Sequence, residues 1–325
     1  MLLRRLEYLS ALARERHFGR AAEACHVSQP ALSEAIRRLE AELGVQIVRR
    51  GRSFEGFTPE GERAVAWAQR IVADSDGLRA DLRSMRAGLT GTLRIGAIPT
   101  ALTVTSLLTA PFCDRHPQVT VSVESLSSRE IVHRLAEFDL DVGLTYVDGE
   151  PLGAVRTTPL YRERYLLLAP ADGPFAGRSE IGWAELVDIP MCLLSPVMQN
   201  RRIIDRNCAE AGVTVTPSVE ADTISVLYAH VATHRWSTVI AHAWLHMFGV
   251  PEGMRVVPME APRRAHRVGL VLTDREPEPM LARALVDVAR RLDVRTELDT
   301  LVAVYLGDGR PDEGGPGRVT IANPS

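Results

Sequence analysis

The chain contains no lysine. All 38 of its basic residues are arginine, which excludes a Schiff-base lysine, a pyridoxal-phosphate lysine and a P-loop lysine. Cysteine is scarce: Cys25, Cys113, Cys192 and Cys208 are scattered through 325 residues with no C-x-x-C pair, so neither a zinc site nor a disulfide framework is expected. No apolar run approaches the roughly 18 residues needed to cross a bilayer. The opening MLLRRLEYL has neither a basic-then-apolar signal pattern nor a cleavage site, and a cytoplasmic chain without a membrane partner is expected. The G-x-S-x-G elbow, the Rossmann glycine triplet, the P-loop and H-E-x-x-H are all missing, so neither an enzyme nor a cofactor is expected.

What is present is a chain long enough for two or three domains, with 46% hydrophobic residues to fill their cores. The net charge is −3, wrong for a protein that coats nucleic acid. Residues 1–60 hold ten arginines against eight glutamates, so counterion release contributes modestly there and specific contacts or dimerisation must supply more of any DNA affinity.

The most informative stretch is FGRAAEACHVSQPALSEAIRRLEAEL, 18–43. It reads as two short helices about a tight turn, with Ala21, Ala22 and Cys25 small enough for a close crossing. Ser28 is a natural N-cap and Pro30 falls in the first turn, where a missing N–H costs little. Leu32, Ile36, Leu39 and Leu43 recur on one face. The opposite face carries Gln29, Ser33, Arg37 and Arg38, groups of the kind that read base edges and phosphates. This is a helix-turn-helix pattern with double-stranded DNA as the partner, and an ordinary helical hairpin is the alternative. Gly44 is a C-cap candidate. In RRGRSFEGFTPEG, Arg49, Arg50 and Arg52 beside two glycines fit a wing along the phosphates, the alternative being a solvated loop. Thr58-Pro59 then starts a helix.

That helix runs from Pro59 to about Gly88 and spans roughly 45 Å. Trp67, Ile71, Leu78, Leu82 and Met85 fall near a heptad seam, so pairing with a second copy is expected, or docking on the rest of the chain. Two-fold pairing would present two recognition helices to a palindrome. Beyond the linker 88–91, strand patterns at 92–97, 119–124, 140–145, 165–169, 191–195, 237–241 and 268–272 alternate with helical stretches, predicting an α/β fold with largely parallel sheets. Residues 301–325, rich in Gly and Pro beyond about Leu306, have the composition of a disordered tail.

In such sheets ligands sit beyond the C-terminal strand ends, at helix N-termini. Those places carry Thr100, Ser125, Ser127, Ser128 and Thr145 in the first half, and Pro196, Gln199, Asn200 and Thr223 in the second. With Arg201 and Arg202 one turn into a helix, they suit a small carboxylate or similar anion. Taken singly, Thr100, Ser128 and Thr223 read equally well as plain N-caps. His230 and His234, like His242 and His246, are four apart, but a metal site needs a further ligand and none is expected.

AAEACHVSQPALSEAIRRLEAELGVQIVRR followed by FTPEG resembles the signature of the LysR-type transcriptional regulators, and the order of segments resembles that family over residues 1–300. Two departures are Glu34, where a polar or basic residue is common, and a less basic segment after the recognition helix. The resemblance implies a winged helix-turn-helix (1–58), a dimerising linker helix (59–88) and an effector-binding domain (92–300) like type 2 periplasmic binding proteins. Lobe I would be 92–162 plus 268–300 and lobe II 163–267. It also implies a homodimer or homotetramer on an interrupted palindrome, a small co-inducer and contact with RNA polymerase. A metabolite-independent DNA-binding protein, or an α/β enzyme with a helical appendage, are the alternatives. A redox-sensing subgroup uses a cysteine pair in lobe II; here Cys208 matches the second position, but Gln199 stands at the nucleophile's. QNRRIID and SVLYAHVATHRWSTVIAHAW are similar to members accompanying formate dehydrogenase genes, making formate a candidate effector.

Overall fold

In a computed structural model of the chain, the residues described are 2–49, 51, 54–262, 264 and 266–306, without the side chains of Met85, Arg86 and Ala87. Arg50, Arg52, the side chain of Met85 and residues 307–325 of the expected tail therefore lie outside the described residues.

Three helices, α1 (Leu2–Glu15), α2 (Phe18–Ala24) and α3 (Gln29–Leu43), open the chain. His17 caps α2, its Nδ1 accepting from Gly19 N at 3.1 Å and Arg20 N at 3.3 Å. Ser28 caps α3 with its Oγ toward Ala31 N, and Gly44 ends α3 at φ 69 in the left-handed region. Leu9, Leu12, Ala21, Leu32 and Leu39 close into one small core. Val48 and Phe57 then form an antiparallel bridge, leading into α4 (Pro59–Ala87). Thr58 caps α4 by accepting from Gly61 N at 2.9 Å.

The first α/β lobe holds β1 (Gly91–Ala97), α5 (Pro99–Leu102), α6 (Thr105–Arg115), β2 (Val119–Ser125), α7 (Ser128–Ala136), β3 (Val142–Tyr146) and β4 (Val155–Arg162). The second holds β5 (Tyr165–Pro170), β6 (Cys192–Leu194), α8 (Gln199–Glu210), β7 (Val219–Ala221), α9 (Ile224–Val231), β8 (Thr238–Ala241), α10 (Leu245–Phe248) and β9 (Met254–Pro258). The chain then returns through β10 (Arg267–Thr273), α11 (Met280–Ala289) and α12 (Val294–Leu306). The first sheet has the order β2-β1-β3-β10-β4, the second β8-β5-β9, with β6-β7 beside it through a parallel bridge from Met191 to Ser237.

The sheets are more mixed than the alternating pattern predicts. β1 is parallel to β2 and β3, but β10 runs antiparallel to both β3 and β4, and β5 is antiparallel to both β8 and β9. The reason is the crossover: a strand returning from the other lobe enters the sheet against its neighbours. The sequence reading also placed the tail from residue 301, whereas α12 continues to Leu306. Leu298 and Val302 are buried, so the helix is held by apolar contact beyond that boundary.

Candidate DNA interface and inter-lobe cavity

On α3 the apolar stripe is buried at Leu32, Ile36 and Leu39, while Leu43, expected on the same stripe, is exposed at the helix end; the opposite face is left free. Ser28, Gln29, Pro30, Arg37 and Arg38 are exposed and Ser33 is half-buried. Glu34 pairs with Arg38 at 2.9 Å and Arg37 at 3.6 Å, so the two cations are held on one helix face by a carboxylate between them. Each pair is exposed and easily exchanged for a phosphate. The wing is tied to α3 by a contact the sequence did not reveal: Glu40 Oε1 accepts from Ile47 N at 2.8 Å and Val48 N at 3.0 Å. Arg49 is exposed, its Nε donating to Phe57 O at 3.0 Å, which lays it along the wing.

One turn of backbone joins the wing to α4. Thr58 N donates to Ile47 O at 2.9 Å, and a Cβ at Gly61 would lie 2.0 Å from that same oxygen. Only glycine lets the two backbones approach so closely. Farther along α4, Val65 and Ala68 pack into the core of the first three helices. Trp67, Ile71, Leu78 and Leu82 face outward at 58, 42, 61 and 56% exposure.

Between the lobes lies a cavity lined by Ile98, Pro99, Thr100, Ser127, Ser128 and Tyr146 from one side and Leu194, Met198, Gln199 and Asn200 from the other. Its free space is about 10 Å³, room for about one water-sized molecule. The N-termini of α7 and α8 both open on it. Ser127 caps α7 in a reciprocal box with Glu130, whereas α8 has no side-chain cap. Thr100, Ser128 and Gln199 are 1, 3 and 4% exposed, yet Thr100 Oγ1, Ser128 Oγ and Gln199 Oε1 have no hydrogen-bond partner. Buried polar atoms are rarely left so.

Of the nine residues expected at an effector site, Thr100, Ser127, Ser128, Gln199 and Asn200 thus meet at one cavity. Thr145 is buried but does not line it, and Ser125, Pro196 and Thr223 are exposed. The arginine pair is engaged elsewhere. Arg201 is buried against Asp205, Glu220 and Leu194 O, and Arg202 binds Glu150, Pro196 O and Val197 O. Arg202 and Glu150, like Thr103 Oγ1 and Ala243 O at 2.8 Å, tie one lobe to the other. Of the paired histidines, His234 meets Glu252 O at 2.9 Å, and His242 is buried with its Nδ1 accepting from Arg164 N at 3.1 Å. Burial holds that imidazole at about 4, well below its usual range.

Sequence reasoning missed Glu163. It lies at the β4–β5 crossover, 3% exposed, where Glu163 N donates to His266 O in the return crossover at 2.8 Å. Its Oε2 accepts from Tyr146 OH at 2.6 Å and Tyr165 OH at 2.8 Å. Asn200 Nδ2 in turn donates to Tyr146 OH at 3.3 Å. Burial pushes the Glu163 carboxyl up to about 7, against the opposing pull of these hydrogen bonds. The signal was in the alternation Tyr161-Glu163-Tyr165, which puts the carboxyl on the inward face of the strand between two aromatic residues.

A helix-turn-helix with a wing, carried on a long helix ahead of two α/β lobes enclosing a polar cavity, defines a DNA-binding regulator with a small-molecule domain. Residues 3–62 match the family of bacterial regulatory helix-turn-helix proteins of the lysR type, and residues 86–293 match the LysR substrate binding domain. The chain belongs to the LysR family of transcription regulators. It is 30% identical over 308 residues to a probable hydrogen peroxide-inducible genes activator of Streptomyces viridosporus, covering 91% of this chain and 97% of that one. The Escherichia coli dual regulator OxyR is 29% identical over 272 residues, 83% of this chain and 89% of its own. A full-length OxyR variant from Pseudomonas aeruginosa superposes with a TM-score of 0.73 at 30% identity, covering 91% and 97%. No helix among the described residues is long and apolar enough to cross a membrane.

Proposed function

We propose that this regulator reads an interrupted palindrome near promoters and responds to a small anion held between its lobes. In this reading residues 1–58 bind DNA, 59–88 join two copies, and 92–300 take the effector. Ser28, Gln29, Pro30 and Ser33 lie against base edges, while Arg37, Arg38, Arg49, Arg50 and Arg52 lie against phosphates. Two dimers associate as a tetramer on the bent site, in the cytoplasm where promoter and RNA polymerase are found.

The observation that carries the effector half is convergence. Two helix N-termini, one from each lobe, and three buried polar side-chain atoms without partners (Thr100 Oγ1, Ser128 Oγ and Gln199 Oε1) face one cavity, so an occupant contacts both lobes at once and biases their relation. Arg201 and Arg202 take no part, being paired already; attraction for an anion comes from the free N–H groups of α7 and α8. Formate is the smallest carboxylate and the first candidate; it exceeds the one water-sized space of about 10 Å³, so the lobes must part to admit it. Disulfide-based peroxide sensing is outside this reading. Gln199 stands where the nucleophilic cysteine of redox-sensing relatives is expected, and burial pushes the Cys208 thiol up to about 11, leaving little thiolate.

Promoter fragments from the chromosomal neighbourhood, with and without a panel of small anions, test the whole. Ligand and operator affinities must change each other by the same factor. Gln29→Ala should reduce preference for the specific site at least tenfold, whereas Arg37→Ala should weaken binding to specific and non-specific DNA alike and lower the salt dependence. Silence toward every fragment overturns the DNA half, and indifference to every anion overturns the effector half.

A further inference from the structure

The cavity combines two opposed electrostatic demands. Helix N-termini from both lobes favour a negative occupant, yet directly behind its wall sits a buried carboxyl. Tyr146 lines the cavity and donates its hydroxyl to Glu163, and Asn200 lines the cavity and donates to that same hydroxyl. No cation balances Glu163 among the described residues. The groups that act on it are Tyr146 from β3, Tyr165 from β5 and Asn200 from α8, with the unbonded Thr100 hydroxyl of α5 close by, all neutral. Tyr161 on β4 feels its charge, and burial holds that phenol well above its usual range. The two nearby imidazoles, His266 with its ring edge to Tyr146 and His242 with its ring edge to Tyr161, are both kept toward the neutral form by burial. Arg162 and Arg164, its sequence neighbours, are exposed.

Resting on the anion reading above, we propose that the anion enters this cavity together with one proton, which is taken up by Glu163. Two negative charges in one closed, poorly solvated space repel strongly. Protonation removes one of them without disturbing the packing, since the acid can still accept from both tyrosines on Oε2. The proton then sits at the crossover shared by both lobes, where Glu163 N is bonded to His266 O. Ligand charge, lobe position and acidity become linked: acidification strengthens anion binding, and a neutral ligand of the same size takes up no proton.

Because the carboxyl lies at about 7 before the anion arrives, the linkage falls in an accessible range. Calorimetric titration of the full-length chain with formate, from pH 5.5 to 8.5 in buffers of different ionisation enthalpy, reads it directly. Affinity should be flat at the acid end and weaken about tenfold per pH unit at the alkaline end, with about one proton taken up per formate there. Glu163→Gln should bind with no proton uptake and no such pH dependence. Tyr165→Phe, which removes a donor to the ionised form outside the cavity wall, should move the break to higher pH. Equal pH dependence in wild type and Glu163→Gln, or wild-type binding without proton uptake, overturns the coupling and leaves the anion site standing. Absence of formate binding in both proteins at every pH overturns the anion reading itself, and the coupling with it. Should Glu163→Gln fail to fold, an unmoved break in Tyr165→Phe overturns the proposal.

Discussion

At the scale of single residues, two buried titratable groups flank the β4–β5 crossover and act on stability in opposite senses. Glu163 is raised from 4.5 to about 7 in the folded chain, so its contribution is fully present below pH 4.5 and is lost as pH rises through 7. His242 is lowered from 6.5 to about 4, so its contribution is present above pH 6.5 and is lost as pH falls through 4. Each loss is on the order of 3 kcal/mol, and between about pH 4.5 and 6.5 the two slopes offset each other. Denaturant unfolding of the effector-binding lobes should therefore separate them. Glu163→Gln should gain stability relative to wild type as pH rises from 5 to 8, and His242→Gln should gain as pH falls from 7 to 4. Variant and wild-type curves that stay parallel across that range would show that neither group is linked to folding. Neither residue stood out in the sequence: Glu163 sits between two arginines and reads as part of a solvated charge run, and His242 was one of four loosely paired histidines. The Tyr161-Glu163-Tyr165 alternation points the carboxyl inward, but the groups that surround both residues come from chain segments far apart and meet only in the folded molecule.

At the scale of elements, the parts legible in advance were those whose determinants are local. The cap and stripe of α3 and the Thr58-Pro59 start of α4 are written in consecutive residues, and so are the helix starts at Ser127–Ser128 and Gln199–Asn200. The strands that escaped, β4, β7 and β9, lack such signals. β4 (VRTTPLYR) carries Pro159 in mid-strand, tolerated because β4 is an edge strand bonded on one side to β10. β7 has only three residues. The wing junction was half legible: Thr58 could be read as a cap, but the role of Gly61 could not. Its missing Cβ makes room for Ile47 O, so Gly61→Ala should destabilise the N-terminal unit by about 1–3 kcal/mol, the usual cost of forcing atoms into a packed junction. It should also weaken DNA binding, with unfolding of the α/β lobes unchanged. Gly77 is the control on the same helix. A Cβ there meets nothing within 4 Å, and Gly77→Ala should stabilise by up to about 1 kcal/mol through helix propensity alone. If the two substitutions had the same effect, the close approach at Ile47 would carry no energetic weight.

At the scale of the whole molecule, α4 is apolar on two faces, and one chain covers only one of them. Val65 and Ala68 are buried by the first three helices. Lobe I meets the same helix through Asp74 and Arg275 at 3.3 Å, with the Arg275 guanidinium over the Phe138 ring. The stripe Trp67, Ile71, Leu78 and Leu82 is left to water at spacings of four, seven and four, the first three in heptad register and Leu82 one residue beyond it, which is a continuous face and not the scatter of single exposed apolar residues. Over 29 residues, about 43 Å of helix, such a seam is long enough to hold a second copy in register. It would fix the distance between two copies of α3, which is what a palindromic site requires. Leu78→Asp with Leu82→Asp places charge in the middle of the seam and leaves the buried face untouched. Sedimentation should then show a monomer where the wild type sediments as a dimer or larger, while each chain keeps its unfolding transition. Affinity for a two-half-site operator should fall at least a hundredfold, toward that of a single half-site, because the second recognition helix is no longer delivered by the first. A doubly substituted chain that still sedimented with the wild type would place the self-association elsewhere and leave the exposed seam of α4 without a role.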